Sequence, residues 1–116
     1  AIKLNPSFAQ AYSNRGTFFL GSGQDERAIE DYDSAIKSDP SFAGAYDNRG
    51  IAFRKLGQHR RAIEDWEQAM KVGGAPWVKK FQAASAKAGH YSGPIDGQYG
   101  QATVKALEAC EQDTKC

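Results

Sequence analysis

The sequence has little of what marks a specialised chemistry. Two cysteines, two histidines and one methionine among 116 residues give no ligand set with zinc spacing. No apolar run approaches the ~18 residues that span a bilayer, so no membrane span is expected. Charge of one sign is missing too: 15 Lys and Arg stand against 14 Asp and Glu. The balance holds on both sides of residue 74, with ten basic and ten acidic residues before it and five and four after. That excludes a polybasic nucleic-acid footprint and an acidic tail. There is no nucleophile elbow, no phosphate-cradling glycine loop and no His-rich metal pattern. The residues therefore predict no catalytic site, no metal and no cofactor. No signal peptide is visible, in a chain that opens in the middle of a repeating pattern.

What is present is repetition. Shifted by 34 positions, residues 6–37 fall on residues 40–71 with 19 of 32 pairs identical. Pro6-Ser7-Phe8-Ala9 meets Pro40-Ser41-Phe42-Ala43, and Asn14-Arg15-Gly16 meets Asn48-Arg49-Gly50. Arg27-Ala28-Ile29-Glu30-Asp31 meets Arg61-Ala62-Ile63-Glu64-Asp65. Tyr12, Arg15, Gly16 and Phe19 recur at the spacing of one helical face, and Gly23 ends that helix. A second helix carries Ala28, Ile29, Tyr32, Ala35 and Ile36 on one stripe and stops at Asp39-Pro40. Small Gly16 and Ala28 let the two helices approach, with Tyr12, Phe19 and Tyr32 filling the space around them. The second unit repeats this with Tyr46, Gly50, Phe53, Ala62, Trp66 and Ala69.

A period of 34 with these aromatic, glycine and alanine positions resembles the tetratricopeptide repeat (TPR). Residues 5–73 carry the resemblance, with departures at Arg15 and Arg49, where Leu is usual, and at Gly73-Gly74, where Asp-Pro would close the unit. It implies an all-α array of helix-turn-helix units whose first helices line a concave groove for peptides. The groove residues so implied are Ser13, Asn14, Thr17, Asp47, Asn48, Ile51, Arg54 and Lys55. Asn14 and Asn48, 34 residues apart, form a ladder suited to a peptide backbone. Some proteins of this kind clamp a terminal carboxylate with Lys and Asn; Ser13 and Thr17 stand at those positions, so that clamp does not carry over. Arg15 and Arg49 are each expected to bond a carboxylate on a neighbouring second helix, their stems covering apolar surface. Arg54, Lys55, His59, Arg60 and Arg61 form a basic cluster, either a solvated face or a contact for an acidic partner.

The opening Ala1-Ile2-Lys3-Leu4-Asn5-Pro6 copies the end of a second helix, so residues 1–4 read as the tail of a preceding repeat. About three repeats are usually needed to bury a stable core, and residues 75–116 are expected to cap the array. Pro76 suits a helix start. Trp77, Val78 and Phe81 lie on the apolar face of a helix over 75–89, expected to dock on Trp66, Ala69 and Met70. A tight loop, Ser92-Gly93-Pro94-Ile95-Asp96-Gly97-Gln98-Tyr99-Gly100, precedes a last helix from Gln101 through Val104, Leu107 and Cys110.

This tail, over residues 78–111, is similar to the first two helices of a small peptidoglycan-binding module of bacterial cell-wall hydrolases. The Gly-Pro-Ile-Asp-Gly…Gly…Thr loop is the specific part. The resemblance implies a glycan contact at Asp96 and Tyr99. The residue types themselves favour loop building: Asp96 accepts from loop amides, Gly97 and Gly100 adopt positive φ, and Thr103 bonds locally. Ser85 stands where the resembled core has Leu, at roughly 1–3 kcal/mol if its hydroxyl finds no partner. Cys110 and Cys116 read as a disulfide or as two separate thiols; a bridge implies an oxidising compartment, periplasmic or secreted, with a cytoplasmic location as the alternative.

These readings converge on two repeats, residues 5–39 and 40–74, plus the 75–116 tail. The expected function is non-catalytic binding of a protein or peptide partner. Alternatives are weak peptidoglycan contact as a cell-wall anchor, or the interaction part of a larger enzyme. Self-association through exposed repeat ends is a further expectation.

Overall fold

The computed structural model describes residues 6–91 and 93–110 of the chain. Six helices follow in order: α1 (Pro6–Gly21), α2 (Asp25–Ser38), α3 (Ala43–Lys55), α4 (His59–Gly73), α5 (Ala75–Lys87) and α6 (Gln101–Cys110). No strand occurs among the described residues, so the fold is all-α. Residues 1–4 and Cys116, and with them the preceding-helix and disulfide expectations, lie outside the described residues.

The turns that fold each helix back are written in glycine. Gly23, Gly57 and Gly89 have φ of 79°, 79° and 86°, the left-handed conformation that a side chain resists. The amide after each glycine reaches back to a carbonyl one turn inside the helix: Gln24 N to Phe19 O, Gln58 N to Phe53 O and His90 N to Ser85 O, each at 2.8 Å. The glycine amides themselves bond Leu20 O, Arg54 O and Ala86 O. These are three copies of the Schellman stop, which satisfies carbonyls that a helix end leaves orphaned. α2 instead ends at Asp39, whose amide bonds Ala35 O, because Pro40 has no amide to continue the ladder.

α1 packs on α2 and α3 on α4, while α2 also packs on α3 and so joins the two pairs. Close approach within each pair depends on a missing side chain. A Cβ at Gly16 would lie 2.8 Å from Tyr32 Cε1, and one at Gly50 would lie 2.7 Å from Trp66 Nε1. The continuous core contains Tyr46, Ala62, Ile63, Trp66, Ala69, Met70, Val78, Phe81 and Leu107. α5 therefore docks on the second repeat as its apolar face requires, with Trp77 packed against the same cluster. Leu107 of α6 completes the cover. Burying Trp66 and Met70 removes an apolar face that would otherwise meet water.

No described element gives the first repeat an equivalent cover. Tyr46 and Ala45 of α3 are 9% and 0% exposed beneath α2. Their counterparts 34 residues earlier, Tyr12 and Ala11, are exposed, as are Phe8 and Phe18 at 61% and 67%. One face is thus core in the second repeat and surface in the first.

Candidate functional site

Arg15 and Arg49 sit one residue before the packing glycines, where each guanidinium meets the adjacent second helix. Arg15 donates through Nε and Nη2 to Asp31 at 2.8 and 2.7 Å. Arg49 repeats the fork onto Asp65 at 2.9 and 2.6 Å, and its Nη1 reaches Asp33 of α2 at 2.8 Å. Arg49 thereby ties the two repeats together. The Arg15 side chain is 61% exposed against 21% for Arg49, because α2 covers Arg49 and no described helix covers Arg15. The Asp65 bonds hold Arg49 protonated well above its ordinary value, against an opposing effect of burial. Burial pushes the Asp65 carboxyl up while the Arg49 bonds oppose it. These arginines and the carboxylates they hold are scaffold, bonded internally.

Two of the expected groove residues also spend their bonds within the chain, although Thr17 is exposed. Ser13 is buried, and its carbonyl accepts from Thr17 Oγ1 at 2.9 Å. With its single proton placed there, Thr17 accepts from the Tyr32 hydroxyl at 2.9 Å. Burial pushes that tyrosine hydroxyl up. Asn14 is exposed and accepts from Gln10 Nε2 at 2.8 Å, whereas Asn48 is half-buried. Lys55 is exposed beside the basic turn. In that cluster, Arg61 stacks over Phe53 at 5.5 Å.

The remaining three residues converge. Asp47, Ile51 and Arg54 of α3 face Lys80, Phe81, Ala84 and Ser85 of α5 across a pocket of ≈180 Å³, with Trp66 and Leu107 also in its wall. Lys80 Nζ reaches Asp47 Oδ2 at 2.8 Å and stands 4.4 Å from the Trp77 ring centre. Trp66 Nε1 donates to Asp47 O at 3.3 Å. The Arg54 guanidinium lies 5.5 Å over the Trp66 ring, and its Nη1 is buried with no acceptor among the described residues. The first-helix pattern identified the α3 side of this pocket. Phe81 on the α5 side is expected only as a docking residue, and Lys80, which lies beyond the last identical repeat position, is missed.

The tail loop is built around one side chain that belongs to the residues carrying the tail's resemblance but has no role assigned to it there. Gln82 is 1% exposed and shares its Nε2 protons among Asp96 Oδ1 at 3.1 Å and Tyr91 Oη, Gln98 O and Thr103 Oγ1 at 3.2 Å. Its Oε1 accepts from Gly97 N at 3.1 Å. A polar residue at the i+4 position of a Val78, Phe81, Ser85 stripe was the available signal. Asp96 is exposed, yet its Oδ1 also accepts from Gln98 N at 3.0 Å. That amide and the Gln82 amide hold the Asp96 carboxyl below its ordinary range. Gly97 has φ of 74°, but Gly100 is not in the left-handed region; its carbonyl instead accepts from Val104 N, starting α6. Ser85 is buried and not without a partner, so the expected hydroxyl penalty does not arise. Tyr99 is 39% exposed.

Among the described residues no His, Cys, Asp and Glu side chains group to hold a metal, and no helix is long and apolar enough to cross a membrane. No curated protein matches the chain. Among solved structures, one that matches is described as the second TPR of Spaghetti (RPAP3) bound to HSP90 peptide SRMEEVD. It is 29% identical with a TM-score of 0.60, covering 73% of this chain and 81% of that one. Residues 19–57 match the family described as TPR repeat, and residues 43–72 match the family described as tetratricopeptide repeat. With the paired helices, packing glycines and 34-residue register in place, the chain carries tetratricopeptide repeats across residues 19–72.

Proposed function

We propose that the chain is a non-catalytic interaction module that holds a peptide on the surface formed by α1, α3 and α5. The pocket between α3 and α5 carries this reading. Small concave sites with an apolar lining and a few placed polar groups are the usual seats for side chains of a ligand. Here Ile51, Phe81 and Leu107 supply the first kind of surface, and Arg54, Asp47 and Lys80 the second. The similar structure holds the peptide SRMEEVD, which supports a peptide rather than a small molecule as occupant. Titrating a ¹⁵N-labelled chain with SRMEEVD and with a pool of random heptapeptides tests the reading. Amide shifts are expected to cluster at Asn48, Ile51, Arg54 and Lys80. Shifts confined to α2 and α4, or none from any peptide, would remove it.

A second reading is self-association through the outer face of α1. Phe8, Tyr12 and Phe18 are exposed there, whereas Tyr46 and Ala52, the counterparts of Tyr12 and Phe18, are buried in the second repeat. Sedimentation velocity across concentration tests it, with Phe8→Ser plus Phe18→Ser expected to abolish any dimer.

A further inference from the structure

We infer that the α3–α5 pocket selects peptides in which an apolar side chain stands next to an acidic one, the apolar group filling the cavity and the carboxylate bonding Arg54. The inference rests on the peptide-binding reading and adds the chemistry of the residue pair bound. Its first support is size. A cavity of ≈180 Å³ walled by Ile51, Trp66, Phe81 and Leu107 is comparable with the ~150 Å³ apolar cavities that accept a benzene-sized group. One aliphatic or aromatic side chain fills it.

The second support is charge. Of the charged groups in the wall, Asp47 is engaged by Lys80 at 2.8 Å, whereas Arg54 Nη1 is buried with no acceptor among the described residues. The lining therefore carries one positive charge in excess. A guanidinium proton withdrawn from water is satisfied most strongly by an ionised acceptor. The stack on Trp66 at 5.5 Å holds the guanidinium in place beside the apolar cavity, so the two requirements must be met by adjacent groups of one ligand. A side-chain carboxylate meets them without a free chain end. This separates the site from a terminal-carboxylate clamp, whose Lys and Asn positions are here the internally bonded Ser13 and Thr17.

The probe is an end-capped, fluorescein-labelled hexapeptide Ser-Ala-Leu-Glu-Ala-Ser, compared with versions carrying Ala for Leu and Gln for Glu. Fluorescence anisotropy with the whole chain is expected to show each replacement weakening binding about tenfold, the scale of one charge-assisted bond or one filled apolar site. Arg54→Met keeps an apolar stem over Trp66 and is expected to bind the Glu and Gln peptides equally, while Arg54→Lys retains part of the preference. Circular dichroism melts check that both variants fold. Equal binding of the Glu and Gln peptides by the unaltered chain would overturn the inference, as would an unchanged preference in Arg54→Met. In either case, shifts on α3 and α5 with the neutral peptide would leave the peptide-binding reading standing. Absence of those shifts with every peptide would remove both.

Discussion

Lys80 of α5 and Asp47 of α3 meet at 2.8 Å across the pocket, joining the second repeat to the helix that caps it. Asp47 is buried while the Lys80 side chain is 56% exposed, so solvent screens the attraction and the pair itself is worth at most about 1 kcal/mol. Removing the lysine has a different consequence, because the carboxylate stays behind in a partly apolar wall. Lys80→Met is expected to lower stability by about 1–2 kcal/mol, and Asp47→Asn in the same chain to recover part of that loss. Urea melts of the two single variants and the double variant measure the coupling. Additive single effects would show that the two groups do not interact in solution.

Gly50 is a point of close approach between α3 and α4. An added Cβ would stand 2.7 Å from Trp66 Nε1 and 3.2 Å from Ala62 O, and the indole is held there by its bond to Asp47 O. Gly50→Ala gains helix propensity and still is expected to destabilise by about 1–3 kcal/mol, the usual penalty for overpacking. Gly21, at the end of α1, has nothing within 4 Å of an added Cβ. Gly21→Ala is therefore expected to stabilise by about 0.4–1 kcal/mol. Thermal melts should move in opposite directions for the two substitutions.

The repeat made the helices and their contacts legible because it reports the same physics twice. Gly16 with Tyr32, and Gly50 with Trp66, are a small and a large residue meeting at one place in each unit. Arg15 and Arg49 are likewise read correctly as partners of second-helix carboxylates. The groove was less legible because equivalent positions hold different chemistry. Tyr32 has a hydroxyl that engages Thr17; its counterpart Trp66 has only an indole N–H, which goes to Asp47 O, and Thr17 is replaced by Ile51. Ser13 and Asp47 occupy one helical position, but the charge of Asp47 requires Lys80, and nothing in the repeat foretells a lysine on α5. Helical spacing reports which face a residue occupies, and the partner on that face comes from elsewhere in the chain.

Gln82 is expected to be the most sensitive position of the tail. Its amide reaches four oxygens and accepts from Gly97 N, so one side chain joins α5, the loop and α6. Gln82→Leu keeps similar bulk but strands the Gly97 amide, at about 1–3 kcal/mol for the group left unsatisfied, while the Thr103 hydroxyl keeps its bond to Gln98 O. Hydrogen exchange is expected to accelerate at Gly97 and Gln98 well before the protection of α3 and α4 changes. Uniform loss of protection throughout the chain would mean that the loop is not a separate unit.

Asp96 gives the same loop a dependence on pH whose sign is fixed by its bonds. The amides of Gln98 and Gln82 favour the ionised form and lower its pKa below the ordinary value of 3.8. In the unfolded chain those bonds are gone and the carboxyl titrates at its ordinary value. The folded state therefore gains from ionised Asp96 above that value and loses the gain as pH falls through the lower, folded one. Between pH 5 and pH 8 the group does not titrate, so the loop is expected to be indifferent to pH there. Below pH 3.8 the Gln98 amide should shift and its exchange quicken, as Oδ1 loses its charge and weakens as an acceptor. Asp96→Asn retains a neutral acceptor oxygen and is expected to leave the loop weaker at neutral pH but unchanged on acidification. Asp96→Ala removes the acceptor, and is expected to loosen the loop while sedimentation with insoluble peptidoglycan stays at background. Following the Gln98 amide by NMR from pH 7 to pH 2 decides the matter. A titration midpoint above 3.8 would show that burial, rather than the two amide donors, governs this carboxyl. Sedimentation of the unaltered chain, lost in Asp96→Ala without any change in exchange at Gln98, would assign the carboxylate to a glycan instead of to the loop.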